Sequence, residues 1–225
     1  MSAQNRLTRL LGTASGVLLV FGVVAVLSVS PARMSFGQAI RPAAGTGPND
    51  VFLLFEPGSS SNLPLPKGEF TPIKDAIGVD SFDLGIENQI SIGSAAGAGA
   101  GKAKFHDFTI KKPVDAASPL LFEASATGGH YNAVRLILRR SGAQGSGKPY
   151  LPYLVFTFEM VFVKSIDWSG HSGGDRPEEQ VVFQYGRLEI TYHTQNPDGS
   201  LGSPTSTGWD IIKNSSALAP PLPPF

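Results

Sequence analysis

Residues 104–129 read KFHDFTIKKPVDAASPLLFEASATGG, and the change of pattern inside this stretch decides the fold. Residues 104–111 have the short, mixed apolar run of a strand. Ser118 then stands where a helix begins, and its hydroxyl is expected to accept from a free first-turn N–H. Pro119 follows at the first helical position, where its missing N–H costs nothing. Leu120, Leu121 and Ala124 supply an apolar face, and Gly128-Gly129 offers a left-handed stop. About nine residues of helix are too few to stand alone, so the helix is expected to pack on sheets.

Strand patterns lie on both sides. Upstream, residues 51–55 (VFLLF) form an apolar run ended by Pro57-Gly58. Residues 77–88 alternate Phe82, Leu84 and Ile86 with Asp83 and Gly85, the period of a half-buried strand. Downstream, Val134, Leu136 and Leu138 alternate with Arg135, Ile137 and Arg139. Residues 151–163 (LPYLVFTFEMVFV) are apolar on both faces, with Phe156, Phe158, Met160 and Phe162 on one and Val155, Val161 and Val163 on the other. Residues 181–192 (VVFQYGRLEITY) read as one strand whose apolar phase shifts at Gly186, which predicts a β-bulge there. The expected class is all-β dominated, a β-sandwich or barrel with one short α-helix packed on it.

Composition agrees. Charged residues are 16% of 225, while Gly numbers 26 and Pro 18, which favours turns and strands over helices. The formal net charge is +0, so no nucleic-acid footprint is visible. With no cysteine, disulfides, thiolate metal sites, thiol nucleophiles and a lipoprotein anchor are excluded together.

Residues 1–39 read as an export signal. Arg6 and Arg9 precede an uncharged stretch centred on residues 17–27 (VLLVFGVVAVL), and small residues follow at candidate cleavage sites before Arg33 and Ile40. An uncleaved membrane anchor is the competing reading, and membrane contact is expected only through this segment. Residues 40–50 read as a linker, 51–214 as the domain, and 215–225 as a Pro-rich, disordered tail ending in APPLPPF.

Several chemical motifs fail on inspection. Residues 97–102 (GAGAGK) resemble a phosphate loop, but Ala96 and Ala103 stand where Gly and a hydroxyl are needed. Residues 94–101 read instead as a mobile loop. His171 and Asp175 lie near Ser169 and Ser172, yet residues so close along one loop rarely meet as a triad. His106, His130, His171 and His193 show no metal-ligand spacing, and Glu178-Glu179 carries no signature of glycosidic chemistry. Phe225 does not close a membrane barrel strand, because Pro220, Pro221, Pro223 and Pro224 forbid one. No catalytic, cofactor or metal residue is expected.

Residues 104–129 resemble the central signature of the Hcp family of type VI secretion. There, a D-F-x-x-x-K-x-V-D strand leads into an A-S-P-x-L helix that ends at Gly. Residues 77–88 (IGVDSFDLGIEN), 139–142 (RRSG), 153–165 and 181–192 are similar to its strands. Residues 170–179 (GHSGGDRPEE) resemble its S-G-x-x-G-x-R-P-x-E loop, and Gly208-Trp209-Asp210 its closing motif. The resemblance marks Asp107, Phe108, Asp115, Ser118, Pro119, Gly173, Gly174, Arg176, Pro177, Glu179, Trp209 and Asp210 as structural and assembly residues. It implies a homo-oligomeric ring of six that stacks into a tube and carries effector cargo, with no cofactor. Departures are the export signal, Leu84 in place of an aromatic, an insertion at 67–76, and a longer glycine-rich loop. A monomeric exported binding or adhesion module is the alternative from another class, with a secreted hydrolase third.

Overall fold

The computed structural model describes residues 49–56, 63–70, 73–88, 90–91, 99–100, 102–140, 151–174, 176–196 and 200–219. Residues 1–39 and 220–225, and most of 94–101, read above as an export signal, a tail and a loop, lie outside these. The elements in order are β1 (Asn49–Phe55), β2 (Ile77–Gly78), β3 (Ser81–Asp83), β4 (Ile86–Glu87), β5 (Ile90–Ser91), β6 (Gly99–Ala100) and β7 (Lys104–Phe105). Next come β8 (Phe108–Pro113), α1 (Ser118–Thr127), β9 (His130–Arg140), β10 (Pro152–Ser169), β11 (Glu178–Gln184), β12 (Arg187–Gln195), β13 (Leu201–Asp210) and β14 (Ser215–Ser216).

Pairing is antiparallel throughout, and it closes a barrel. β10 pairs β9, β9 pairs β1, and on its other edge β10 pairs β11, which pairs β8. The gap between β1 and β8 is bridged by one stretch of chain. β2 pairs β1, β3 pairs β8, and between them Val79 N–H donates to Val51 O and Asp80 N–H to Lys111 O. That crossing corrects the expected single strand at 77–88. The chain changes partners there, so its alternation does not report one buried face: Leu84 is half-buried, but Ile86 is exposed. β12, β13 and β14 extend the sheet as a wing from the first half of β10. β13 has no strand pattern in its sequence, and Pro204 is tolerated because the strand's outer edge is paired only near its end.

The barrel is filled by stacked aromatic rings. Phe108 lies against Phe158 at 4.4 Å and Phe183 at 5.5 Å. Leu121 and Ala124 of α1 are fully buried in the same cluster, and α1 packs on β10. Gly128, at φ 68°, ends the helix in the left-handed conformation expected for it. The start differs: Ala117 is the N-cap and Ser118 makes no capping bond. Asp115 Oδ1 accepts from Ala117 N–H at 2.9 Å just before the helix, its backbone O accepts from Ser118 N–H at 3.1 Å, and the Ser118 hydroxyl turns to another partner.

β1 and β9 are buried on both faces. Inside, Leu53, Val134 and Leu136 join the barrel core. Outside, Phe52 and Ile137 form a second cluster with Ala76, Phe70 and Ile73. Phe70 stacks on Phe52 at 5.2 Å, so the residues read as an insertion at 67–76 act as a strap over this face. Arg135 and Arg139 are buried beside it, paired with Glu56 and Asp50.

The apolar phase flips in three neighbouring strands at one level. Tyr131 and Val134 of β9, Phe158 and Val161 of β10, and Tyr185 and Leu188 flanking the β11–β12 junction are all core residues three apart. Pairing registers Phe158 with Val134 and Leu188, and Val161 with Tyr131. The strand predicted over 181–192 is therefore two strands, with Tyr185 and Gly186 between them. No residue is inserted at this point: Met160 and Val161 face Tyr185 and Gly186, and pairing resumes in register at Phe162–Gln184. The one-residue bulge predicted near Gly186 lies instead in β10, between Val163 and Ser165. The left-handed residue at the bend is Met160, at φ 53°. Gly186 serves close approach, since a Cβ there would sit 3.0 Å from Ile212 Cδ1 and 3.3 Å from Met160 Cβ. Val161 and Val163, read as lying on the face opposite Phe158, are buried in the same core as Phe158.

Both expected domain edges also move. β1 begins at Asn49, inside the stretch read as linker, and Ser215–Ser216 pair with Trp209 and Asp210. Ala217 N–H continues the contact to Gly208 O.

Candidate functional site

Phe108, Ile110 and Lys112 alternate on the buried face of β8, so a lysine stands where a third apolar residue is expected. Its ammonium group is fully buried and is saturated with acceptors. It lies 2.7 Å from Asp115 Oδ1, 2.8 Å from Glu179 Oε1 and 2.8 Å from Pro113 O. The Ser118 hydroxyl, released from capping, donates to Glu179 Oε1 at 2.8 Å and accepts from Asp115 N–H at 3.0 Å. The second carboxylate oxygen of Glu179 accepts from Trp168 Nε1 at 2.8 Å. Strand β8, helix α1 and the β10–β11 pair are thus pinned at one point. A charge removed from water this completely persists only with partners on every side, and here each member has them.

This cluster gathers three candidate residues, Asp115, Ser118 and Glu179. It also contains Lys112 and Trp168, which were not singled out; the lysine on an apolar strand face was the signal for the first. Pro119 is exposed on the helix start and Pro177 O accepts from Val114 N–H, so both border the cluster. Gly173, at φ 86°, turns the loop between β10 and β11, and Gly174 N–H donates to His171 O. Arg176 reaches Glu69 of the strap at 3.1 Å, both side chains being more than half exposed. Asp175, next to it in the loop, lies outside the described residues.

The remaining candidates sit elsewhere. Phe108 is central to the barrel core, and Asp107 pairs with Lys164 at 2.6 Å on the surface. Asp210 belongs to a second network, accepting from Lys213 N–H at 2.8 Å and from Arg187 at 3.2 Å. Arg187 also pairs with Glu159 at 2.7 Å. The Lys213 N–H, assisted by Arg187, holds the Asp210 carboxyl below its usual range. Burial pushes Glu159 the other way, only partly offset by Arg187. Trp209 Nε1 is buried without a partner among the described residues.

Among the described residues the charged groups of both networks are engaged with one another, with Arg187 Nε left over in the second. Among the described residues, no three His, Cys, Asp or Glu side chains are grouped to hold a metal ion. The arrangement does mechanical work, fixing a helix to a barrel and a barrel to its wing.

The sequence profile of the family described as type VI secretion system effector, Hcp, matches residues 66–192. Protein hcp1 of Pseudomonas aeruginosa is 32% identical over 117 residues, which are 52% of this chain and 70% of that protein. A solved structure described as a type six secretion system protein superposes with a TM-score of 0.64 at 26% identity, covering 75% of this chain and 99% of its own. Hcp1 from Salmonella typhimurium gives a TM-score of 0.57 at 25% identity, with 75% and 99% covered. The matched span runs from just before the strap into β12 and includes the whole buried lysine cluster, and this chain belongs to the Hcp family of type VI secretion proteins.

Proposed function

We propose that the domain is a ring-forming subunit of a type VI secretion tube, most simply a homohexamer whose rings stack around effector cargo. The observation that carries the reading is the family match across 66–192, which holds every strand of the barrel except β1. Its chemistry agrees with a structural part. The charged groups are consumed in internal networks, and a closed barrel braced by a strap suits a subunit that transmits force.

The reading includes export with a cleavable signal at residues 1–39, supported by the Arg6/Arg9 region and the apolar centre after it. Terminal mass spectrometry of the secreted protein should find a start near Arg33 or Ile40; an intact leader overturns that part. Ring formation is tested by light scattering behind size-exclusion chromatography, with electron microscopy of the peak. A ring is expected, as a head-to-tail contact that closes requires, of about six copies on the family reading. A monomer at high micromolar concentration overturns the tube reading and favours the monomeric binding module.

A further inference from the structure

Trp168 and Phe122 stand half out of the surface, 51% and 55% exposed, with ring centroids 6.1 Å apart and planes tilted by 48°. The indole is held in one orientation, because its Nε1–H donates to the buried Glu179 carboxylate. An exposed aromatic group already fixed in place loses little freedom on docking, which is what makes such groups interaction hot spots. With its N–H engaged, Trp168 offers a partner only its ring face. Phe122 adds a second face, and neither adds a charge. Flat, apolar rings that need no hydrogen bond from the indole fit this shelf, and proline is the side chain of that kind.

The chain carries such a segment. Residues 219–225 read APPLPPF, the composition of a polyproline II ligand, which is pre-extended and cheap to order. The described chain ends at Ala219, whose N–H donates to Glu189 Oε2. Glu189 is registered with Thr157 of β10, and Trp168 lies eleven positions further along that strand, beyond the bend at Met160. Along the strand that is about 36 Å, and residues 161–168 alone span about 23 Å. Six residues at about 3.1 Å each reach about 19 Å. The segment is shorter than the stretch of strand that separates its anchor from the shelf of its own chain.

We infer that residues 220–225 of one copy of this chain dock on the Trp168–Phe122 shelf of a second copy. The inference stands on the shelf, the segment and the reach, and it does not require a closed ring.

The test uses the full chain and its tryptophan emission. At low micromolar concentration, added synthetic peptide APPLPPF should shift the emission to the blue and saturate, whereas AAALAAF should leave it unchanged. Raising the concentration of the chain alone should reproduce the shift. Phe122→Ala, an exposed change outside the lysine cluster, should weaken peptide binding about tenfold with circular dichroism unaltered. An unsaturable titration overturns the inference, as does equal binding of the two peptides. A shift independent of chain concentration that Phe122→Ala abolishes also overturns it, because it places the segment on its own chain.

Discussion

Lys112 and Glu179 form an ion pair of 2.8 Å in which neither side chain has any exposure to solvent. Sixty-seven positions separate them in the sequence, and β8 and β11 bring them together by pairing Lys112 directly with Glu179. Breaking the pair from one side leaves a buried, uncompensated charge. Lys112→Met is therefore expected to cost about 3–5 kcal/mol, since it strands Asp115 as well as Glu179. The double change Lys112→Met with Glu179→Leu should recover part of that loss. Urea unfolding of the two variants checks it; equal stabilities would mean the pair is not coupled.

Val161→Glu should prevent folding rather than assembly alone. Val161 is 1% exposed inside the barrel, and a carboxylate placed there has no partner, at a cost above about 4 kcal/mol. Ile212→Glu, at 67% exposure beside the same bend, should leave the circular dichroism unchanged. The reverse pattern would show that the phase flip is misplaced.

Met160 bears the strain of the bend, as a non-glycine residue at φ 53°. Met160→Gly should raise stability by up to about 1 kcal/mol, the left-handed penalty exceeding the entropy glycine adds to the unfolded chain. Gly186→Val should lower it, because the added carbons meet both Met160 and Ile212. Thermal unfolding compares the two.

Two buried tyrosines should respond oppositely to loss of the hydroxyl. Tyr131 OH is buried without a partner among the described residues, and burial pushes its pKa up to about 12. Tyr131→Phe should be neutral or stabilising by about 1 kcal/mol. Tyr185 OH donates to His106 O at 3.0 Å, so Tyr185→Phe should cost about 1 kcal/mol. Denaturant midpoints at matched slope decide between them.

The Arg187 network predicts two opposite pH dependences. Asp210 has a depressed pKa, so the stability it confers is present above the unfolded carboxylate value of about 3.9 and is lost as pH falls through its folded value. The deficit of Asp210→Asn should accordingly shrink on acidification. Glu159 has a raised pKa, so the folded state holds its proton more tightly and stability falls as pH rises from about 4.3 through the folded value. Wild type should therefore lose ground to Glu159→Gln over that rise. Parallel pH profiles for both variants would refute the assignment.

Local chemistry fixed much of this protein without tertiary help. The helix stops at Gly128 because only a residue without a Cβ takes φ 68° freely, and that is written in the Gly-Gly pair. Residues 151–163 are apolar on alternate and intervening positions, which requires cover on both faces wherever the strand lies. The order of strands around one short helix, and the motifs shared with a family, follow from the chain alone.

Other features were decided only in three dimensions. Alternation reports one strand's two faces, and residues 181–192 show the phase shift at Gly186, but that β9 and β10 change phase with them at Met160 is decided by the pairing. Ser118 has the residue type of an N-cap in the right place. Its hydroxyl turns instead to Glu179, because a fully buried carboxylate cut off from water needs that donor. Burial sets the value of a polar group, and burial is a property of the packed barrel, settled by residues far apart in the sequence.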